Sequence, residues 1–202
     1  MSSANLIKER VDPRIKRTRR MILQAFSDTL AEKGFQSISV QDITERAGIN
    51  RTTFYLHFPD KFALLDTSIN HMFQGELEKR TLNTCEFSHE NLRSLIITVA
   101  EFIARSNAHC AHADQQFETL VETRVKQQVF DLLQMWGEKA GRSPEDSRTA
   151  AVAASWAIYG LALEWSHDRQ PPPVDALAGR IAPLIYAILG FEQPEIETAP
   201  GG

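Results

Sequence analysis

Between Ser39 and Lys61 the chain is punctuated so densely that few backbones can accommodate it. Ser39 has the side chain of a helix N-cap, able to accept from the backbone N–H groups near Gln41 and Asp42. Gly48 closes the run that follows and suits a left-handed stop. Asn50 is a second cap only two residues later. Pro59 disfavours helical geometry at Phe58, and Asp60 is a third cap. Two short helices and the start of a longer one must therefore fit within 23 residues. Ile43, Ala47, Ile49, Phe54 and Phe58 are the apolar side chains available to bury, and burying them together fixes the angle between the helices.

The flanking sequence is helical too. Asp12-Pro13 supplies a cap and a proline at the first helical position. Ile15, Ile22, Phe26 and Leu30 then recur at helical intervals until Gly34 ends the run. Asp60 opens a helix through about Arg80, with Phe62, Leu65, Ile69 and Phe73 in register. Amphipathic stripes follow at Leu92, Leu95, Ile96, Val99, Phe102 and Ile103, then at Phe117, Leu120, Val121, Val125, Val129, Leu132 and Trp136. Ser143-Pro144 starts a helix whose residues between Arg148 and Trp165 include a single charge, Glu164, and many small side chains. Burial on every face is expected of it. The break RQPPP at 169–173 precedes a last stripe, Leu177, Ile181, Leu184, Ile185, Ile188 and Leu189, with a kink expected at Pro183. No β-run or internal repeat interrupts this pattern. The expected fold is all-α: an arm at 1–12, a three-helix head at 13–60, a larger helical body at 61–191 and a tail at 192–202.

Composition narrows the function. No apolar run approaches the ~20 residues of a membrane span, and the basic N-terminus lacks the apolar stretch of a secretory signal. Two cysteines, Cys85 and Cys110, fit a reducing cytoplasm better than a disulfide framework. The net charge of −4 hides an asymmetry. Residues 1–60 carry ten Lys/Arg against seven Asp/Glu, and residues 61–202 carry twelve against nineteen. A basic front on an acidic body points to an anionic partner for the front alone. No Ser/His/Asp order, P-loop or zinc-hydrolase spacing stands out, so no enzyme is expected.

Three helices joined by tight turns, the second turn carrying Gly48, describe a helix-turn-helix. With Phe54 and Phe58 inward, Thr52, Thr53, Leu56 and His57 face mainly outward, flanked by Arg51 and Tyr55. Such a helix fits a DNA major groove. Arg51 is suited to guanine, Thr52 or Thr53 to a thymine methyl or a polar base edge, and Tyr55, His57 and Lys61 to phosphate oxygens. At these residues the chain resembles the TetR (tetracycline-repressor-type) regulators. The resemblance runs from about Thr18 to Leu65, through "RRMILQAFSDTLAEKGFQSISVQDITERAGI" and "TTFYLHFPDKFALL". It implies that Ser39 approaches a phosphate, that Gln41 reaches toward a base, and that Arg51, Thr52 and Thr53 face the groove. Tyr55, His57 and Lys61 would then grip the backbone. Leu56 departs from the family, where an aromatic or polar residue is frequent.

For the body, the resemblance implies effector binding and dimerisation. Helices 146–167 and 177–189 from two chains would form a four-helix interface, so that two heads read palindromic double-stranded operator DNA. Phe102, Phe117, Trp136, Trp156 and Tyr159 are the expected lining of a cavity for a small-molecule effector. The segment His109-Cys110 with His112 and Asp114 lacks a matched second pair of ligands, although Cys85 and His89 could complete it. No metal site and no cofactor are expected. A ligand-released repressor is the expected function; the alternative is a protein-binding co-regulator of the same fold that does not read DNA.

Overall fold

The computed structural model describes residues 12–80, 86–109 and 115–191. Cys85, the Cys110–Asp114 segment and the tail from residue 192 lie outside the described residues, as does the arm before Asp12. Within the described residues there are eight helices and no strand: α1 Pro13–Lys33, α2 Val40–Ala47, α3 Arg51–His57, α4 Lys61–Arg80, α5 His89–His109, α6 Gln115–Lys139, α7 Pro144–His167 and α8 Val174–Leu189. The expected all-α class is the observed one.

Local chemistry sets most of the helix ends. Asp12 accepts from the Arg14 N–H at 2.8 Å, and Asp60 accepts from the N–H groups of Phe62 and Ala63 at 2.9 and 2.8 Å. Ser143 caps α7 through the Asp146 N–H at 3.1 Å. Each bond satisfies a backbone donor that the first helical turn leaves without an intrahelical partner. The proline-rich break after α7 is pinned by the Trp165 indole, which donates to the Pro172 carbonyl at 2.8 Å. Helix α8 runs uninterrupted through Pro183, whose ring has no N–H to offer the Gly179 carbonyl.

The chain divides into two compact units, Met1–Ser68 and Ile69–Gly202. The expected boundary at 60/61 thus lies two helical turns too early, because the first turns of α4 bury Leu64 and Leu65 in the head. They join Ile22, Phe26, Phe35, Ile43, Phe54 and Phe58. Ile15, expected in that core, is 48% exposed, since α1 begins before it reaches its neighbours.

In the second unit, α7 packs against α5, α6 and α8, and α5 also meets α8. The sealed interior includes Leu92, Val99, Val125, Leu133, Trp136, Ile158 and Ile185; Leu133, rather than Leu132, points fully inward. The expectation that α7 is buried all round does not hold for a single chain. Val152, Ala153, Trp156 and Gly160 lie exposed one helical turn apart, with Trp156 at 60%. Helix α8 likewise exposes Ala176, Gly179, Pro183, Leu184 and Ala187, with Leu184 at 55%.

Candidate functional site

The head presents α3 on a rigid mount. Asn50 accepts from the Thr53 N–H at 2.7 Å and starts the helix; Phe58, in extended conformation before Pro59, ends it. Phe54 is wholly buried, with its ring edge-on to Tyr55 at 5.4 Å and tilted against Phe58 at 6.1 Å. The outward row is Arg51, Thr52, Tyr55 and Leu56, with Tyr55 52% and Leu56 80% exposed. Thr53 and His57, expected to face outward, are half-buried, because a helix of two turns seated on Phe54 and Phe58 shields its flanks.

Helix α2 is held at the other side of the turn. Ser39 and Asp42 form a reciprocal capping box. The Ser39 hydroxyl accepts from the Asp42 N–H at 3.2 Å, and the Asp42 carboxylate accepts from the Ser39 N–H at 2.8 Å. The Lys33 ammonium also donates to Asp42, at 2.5 Å. That bond, with those from Ser39, holds the Asp42 carboxyl well below the usual carboxylate range. Arg46 reaches both oxygens of Glu32 at 2.6 and 2.7 Å. Two ion pairs thus tie α2 to the end of α1. Gly48 supplies the turn, with φ at 65° in the left-handed region. The Gln41 amide donates to Glu45 at 2.8 Å while remaining exposed, so it must leave that partner to meet a base.

Lys61 occupies a different place from the one expected of it. Its ammonium donates to the carbonyls of Phe35, Gln36 and Ile38 at 3.2, 3.4 and 3.0 Å, and lies 4.7 Å from the Phe35 ring centre. Its three protons are therefore directed into the turn between α1 and α2. Arg19 is a second brace, one that helical periodicity could not show: its guanidinium lies 4.5 Å from the centre of the Phe58 ring. Replacing Lys61 with alanine is expected to lower stability by about 1–3 kcal/mol in urea unfolding, because those carbonyls lose a charged donor. The salt dependence of duplex binding should stay nearly unchanged; a slope lowered by about one would mark Lys61 as a phosphate ligand instead.

The five aromatic side chains expected to line a cavity in the body do not come together. Phe117 and Tyr159 share a chamber of 110 Å³ between α5, α6 and α7. Phe102 lies edge-on to Phe73 at 5.2 Å, and Trp136 is sealed against Phe87 at 5.8 Å. Trp156 stands on the outer face with the Lys126 ammonium 3.1 Å from its ring centre. Sequence reading missed Glu118, Glu122 and His167, which also border the chamber. The available signal was a pair of carboxylates one turn apart, flanking Val121 on the apolar side of α6. Among the described residues no three His, Cys, Asp or Glu side chains gather as metal ligands.

A braced two-turn helix with an outward row of arginine, threonine and tyrosine, joined through the Gly48 turn to a capped α2, is a helix-turn-helix. Residues 22–67 match the model of the bacterial regulatory proteins of the tetR family, so the head of this chain is similar to theirs. The chain is 43% identical over 63 residues to the uncharacterized HTH-type transcriptional regulator YxbF of Bacillus subtilis, a stretch covering 31% of this chain and 17% of that protein. It is 36% identical over 58 residues to the regulator YvdT of the same organism, covering 29% and 30%. Under a third of either relative is therefore matched. The fold as a whole is similar to solved structures. GusR of Salmonella enterica is 20% identical with a TM-score of 0.55, over 89% of this chain and 98% of that one. FadR of Bacillus subtilis, crystallised with stearoyl-CoA, is 18% identical with a TM-score of 0.55, over 82% and 96%. No described helix is long and apolar enough to cross a membrane.

Proposed function

We propose that the chain is a cytoplasmic transcriptional repressor that binds palindromic operator DNA as a homodimer and leaves it when a small molecule enters the α5–α7 chamber. The observation that carries this reading is the outward row of α3, presented by a helix whose buried side and both ends are fixed. Arg51 and Thr52, at the start of α3, read base edges; Tyr55 reaches a phosphate. Leu56 suits a thymine methyl. Thr53 and His57 contribute from the flanks. Ser39 and Gln41 contribute from the start of α2, Ser39 through its position at the helix N-terminus while its hydroxyl holds the cap. Lys61 acts on the backbone of the head, holding the turn between α1 and α2 in place.

The uncovered faces of α7 and α8 supply the dimer. Exposed apolar side chains interleaved with Gly160, Gly179 and three alanines let two such helix pairs approach closely. Two heads set one DNA turn apart, roughly 34–36 Å, then match the two halves of a palindrome. An effector that prefers a dimer with other spacing shifts the population away from DNA. A coupling of ~1–3 kcal/mol weakens binding ~5- to 150-fold. Helix α4, continuous from Lys61 to Arg80, is the covalent route between head and body.

The test is an electrophoretic shift on a duplex selected from a random-sequence pool by the full-length protein. Arg51→Ala is expected to cost ~1–3 kcal/mol and to relax base choice at one position of each half-site. An unchanged affinity and unchanged base choice would remove Arg51 from the reading set. Leu56 at the tip of α3 is also the one observation favouring a protein-binding co-regulator; salt-dependent duplex binding decides between the two.

A further inference from the structure

The chamber between α5, α6 and α7 has a chemistry of its own. At 110 Å³, and open to solvent beside the exposed Glu118 and His167, it suits one ring with a short polar arm at the mouth rather than a long acyl chain. Ile103, Phe117 and Leu163 give it apolar walls. Tyr159 is more than nine-tenths buried, and its hydroxyl, on the chamber lining, is open to solvent there and bonds to no described residue. A hydroxyl that meets only solvent in the chamber is free to bond a ligand there. Two other polar groups of the lining are satisfied: the Ser106 hydroxyl donates to the Phe102 carbonyl at 2.9 Å, and the Asn107 amide to Ser166 at 3.0 Å.

The charges that face the chamber are mostly negative. Glu118 and Glu122 lie one turn apart on α6, and the exposed His167 stands at the rim. Glu122 holds the Lys126 ammonium at 2.6 Å. Glu118 has no ion pair or hydrogen bond among the described residues. Burial first, and then the carboxylates of Glu122 and Glu118, push the ionisation of the Tyr159 phenol well above its ordinary range. The phenol is thus a neutral hydrogen-bonding group in a negative field. An anionic ligand would meet two like charges there. A neutral ligand would take water from Glu118 and return no counter-charge.

We infer that the chamber takes a compact organic cation with a flat apolar body. The ammonium sits against Glu118, donates to the Tyr159 hydroxyl oxygen, and gains further from the Phe117 and Tyr159 rings. This inference rests on reading the chamber as the effector site and names the chemical class of the effector.

Benzylamine, benzyl alcohol and benzoate share one ring and one reach, and differ in charge. In calorimetric titration of the full-length chain, benzylamine is expected to bind about tenfold more tightly than the alcohol, the worth of one charge-assisted hydrogen bond, with benzoate weakest. Glu118→Gln, at an exposed position, should erase that preference. Tyr159→Phe should weaken benzylamine while melting no lower than the parent, since it removes a hydroxyl that bonds to no described residue. Equal binding of amine and alcohol, a preference for benzoate, or no binding by any of the three would overturn the inference. So would a cation preference that survives Glu118→Gln, or unchanged affinity in Tyr159→Phe. Glu118-dependent binding of benzylamine that fails to release the selected duplex would leave the ligand class standing and overturn the effector reading instead.

Discussion

Phe54→Ala is expected to unfold the head while leaving the body folded. The side chain is wholly buried and lies against Phe58 and Tyr55, so truncation removes both its transfer free energy and the packing around the void, about 3–5 kcal/mol. A unit of this size holds only roughly 3–9 kcal/mol in all. The loss therefore takes up most of the head's stability and none of the body's, because the two are separate compact units. Thermal unfolding followed by far-ultraviolet ellipticity should show an early transition of small amplitude ahead of the main one, and duplex binding should vanish at the growth temperature. Phe54→Leu, which conserves most of the volume, should cost under about 1.5 kcal/mol and retain binding. If Phe54→Ala bound the duplex as tightly as the parent, α3 would not owe its seat to this core.

Leu184→Glu should split the proposed dimer. Leu184 stands 55% exposed on α8, so in a lone chain the carboxylate meets water and folding is undisturbed. At a two-fold interface the same change brings two like charges together in an apolar setting. Sedimentation should report a single-chain mass with unaltered helix content. Duplex affinity should fall by ~10²–10⁴, the avidity lost when two half-site contacts are no longer linked. A variant that still sediments as a dimer would place the interface elsewhere than the outer faces of α7 and α8.

What could be read from the residues alone was mostly short in range. Asp12, Ser39, Asn50, Asp60 and Ser143 mark helix starts because a cap acts on the two or three residues after it, and all five act as caps in the structure. Gly48 and Pro59 mark helix ends for equally local reasons. The family resemblance singled out α2 and α3, which the structure shows as two short capped helices, but it could not say where a flexible side chain ends. The partners of Lys61 lie more than twenty residues back along the chain, and nothing in the spacing of positions 55, 57 and 61 points to them. Trp156 failed for a related reason. Hydropathy marks a side chain as apolar without saying whether its own chain covers it, and on α7 the side facing out carries the indole. The chamber was hidden by a third effect. Only two of the five aromatic candidates border it, and its polar lining includes Glu118 and Glu122, which a solvated helix face would also carry.

The grip of Lys61 on the turn before α2 bears on how portable the head is. A fragment ending at residue 60 would forfeit this clasp together with Leu64 and Leu65, leaving three carbonyls and a patch of Phe35 bare. Anyone grafting the head onto a foreign partner should therefore carry the chain through Ser68, and the graft should be helical at its junction, since the residue that locks the turn already belongs to the connecting rod.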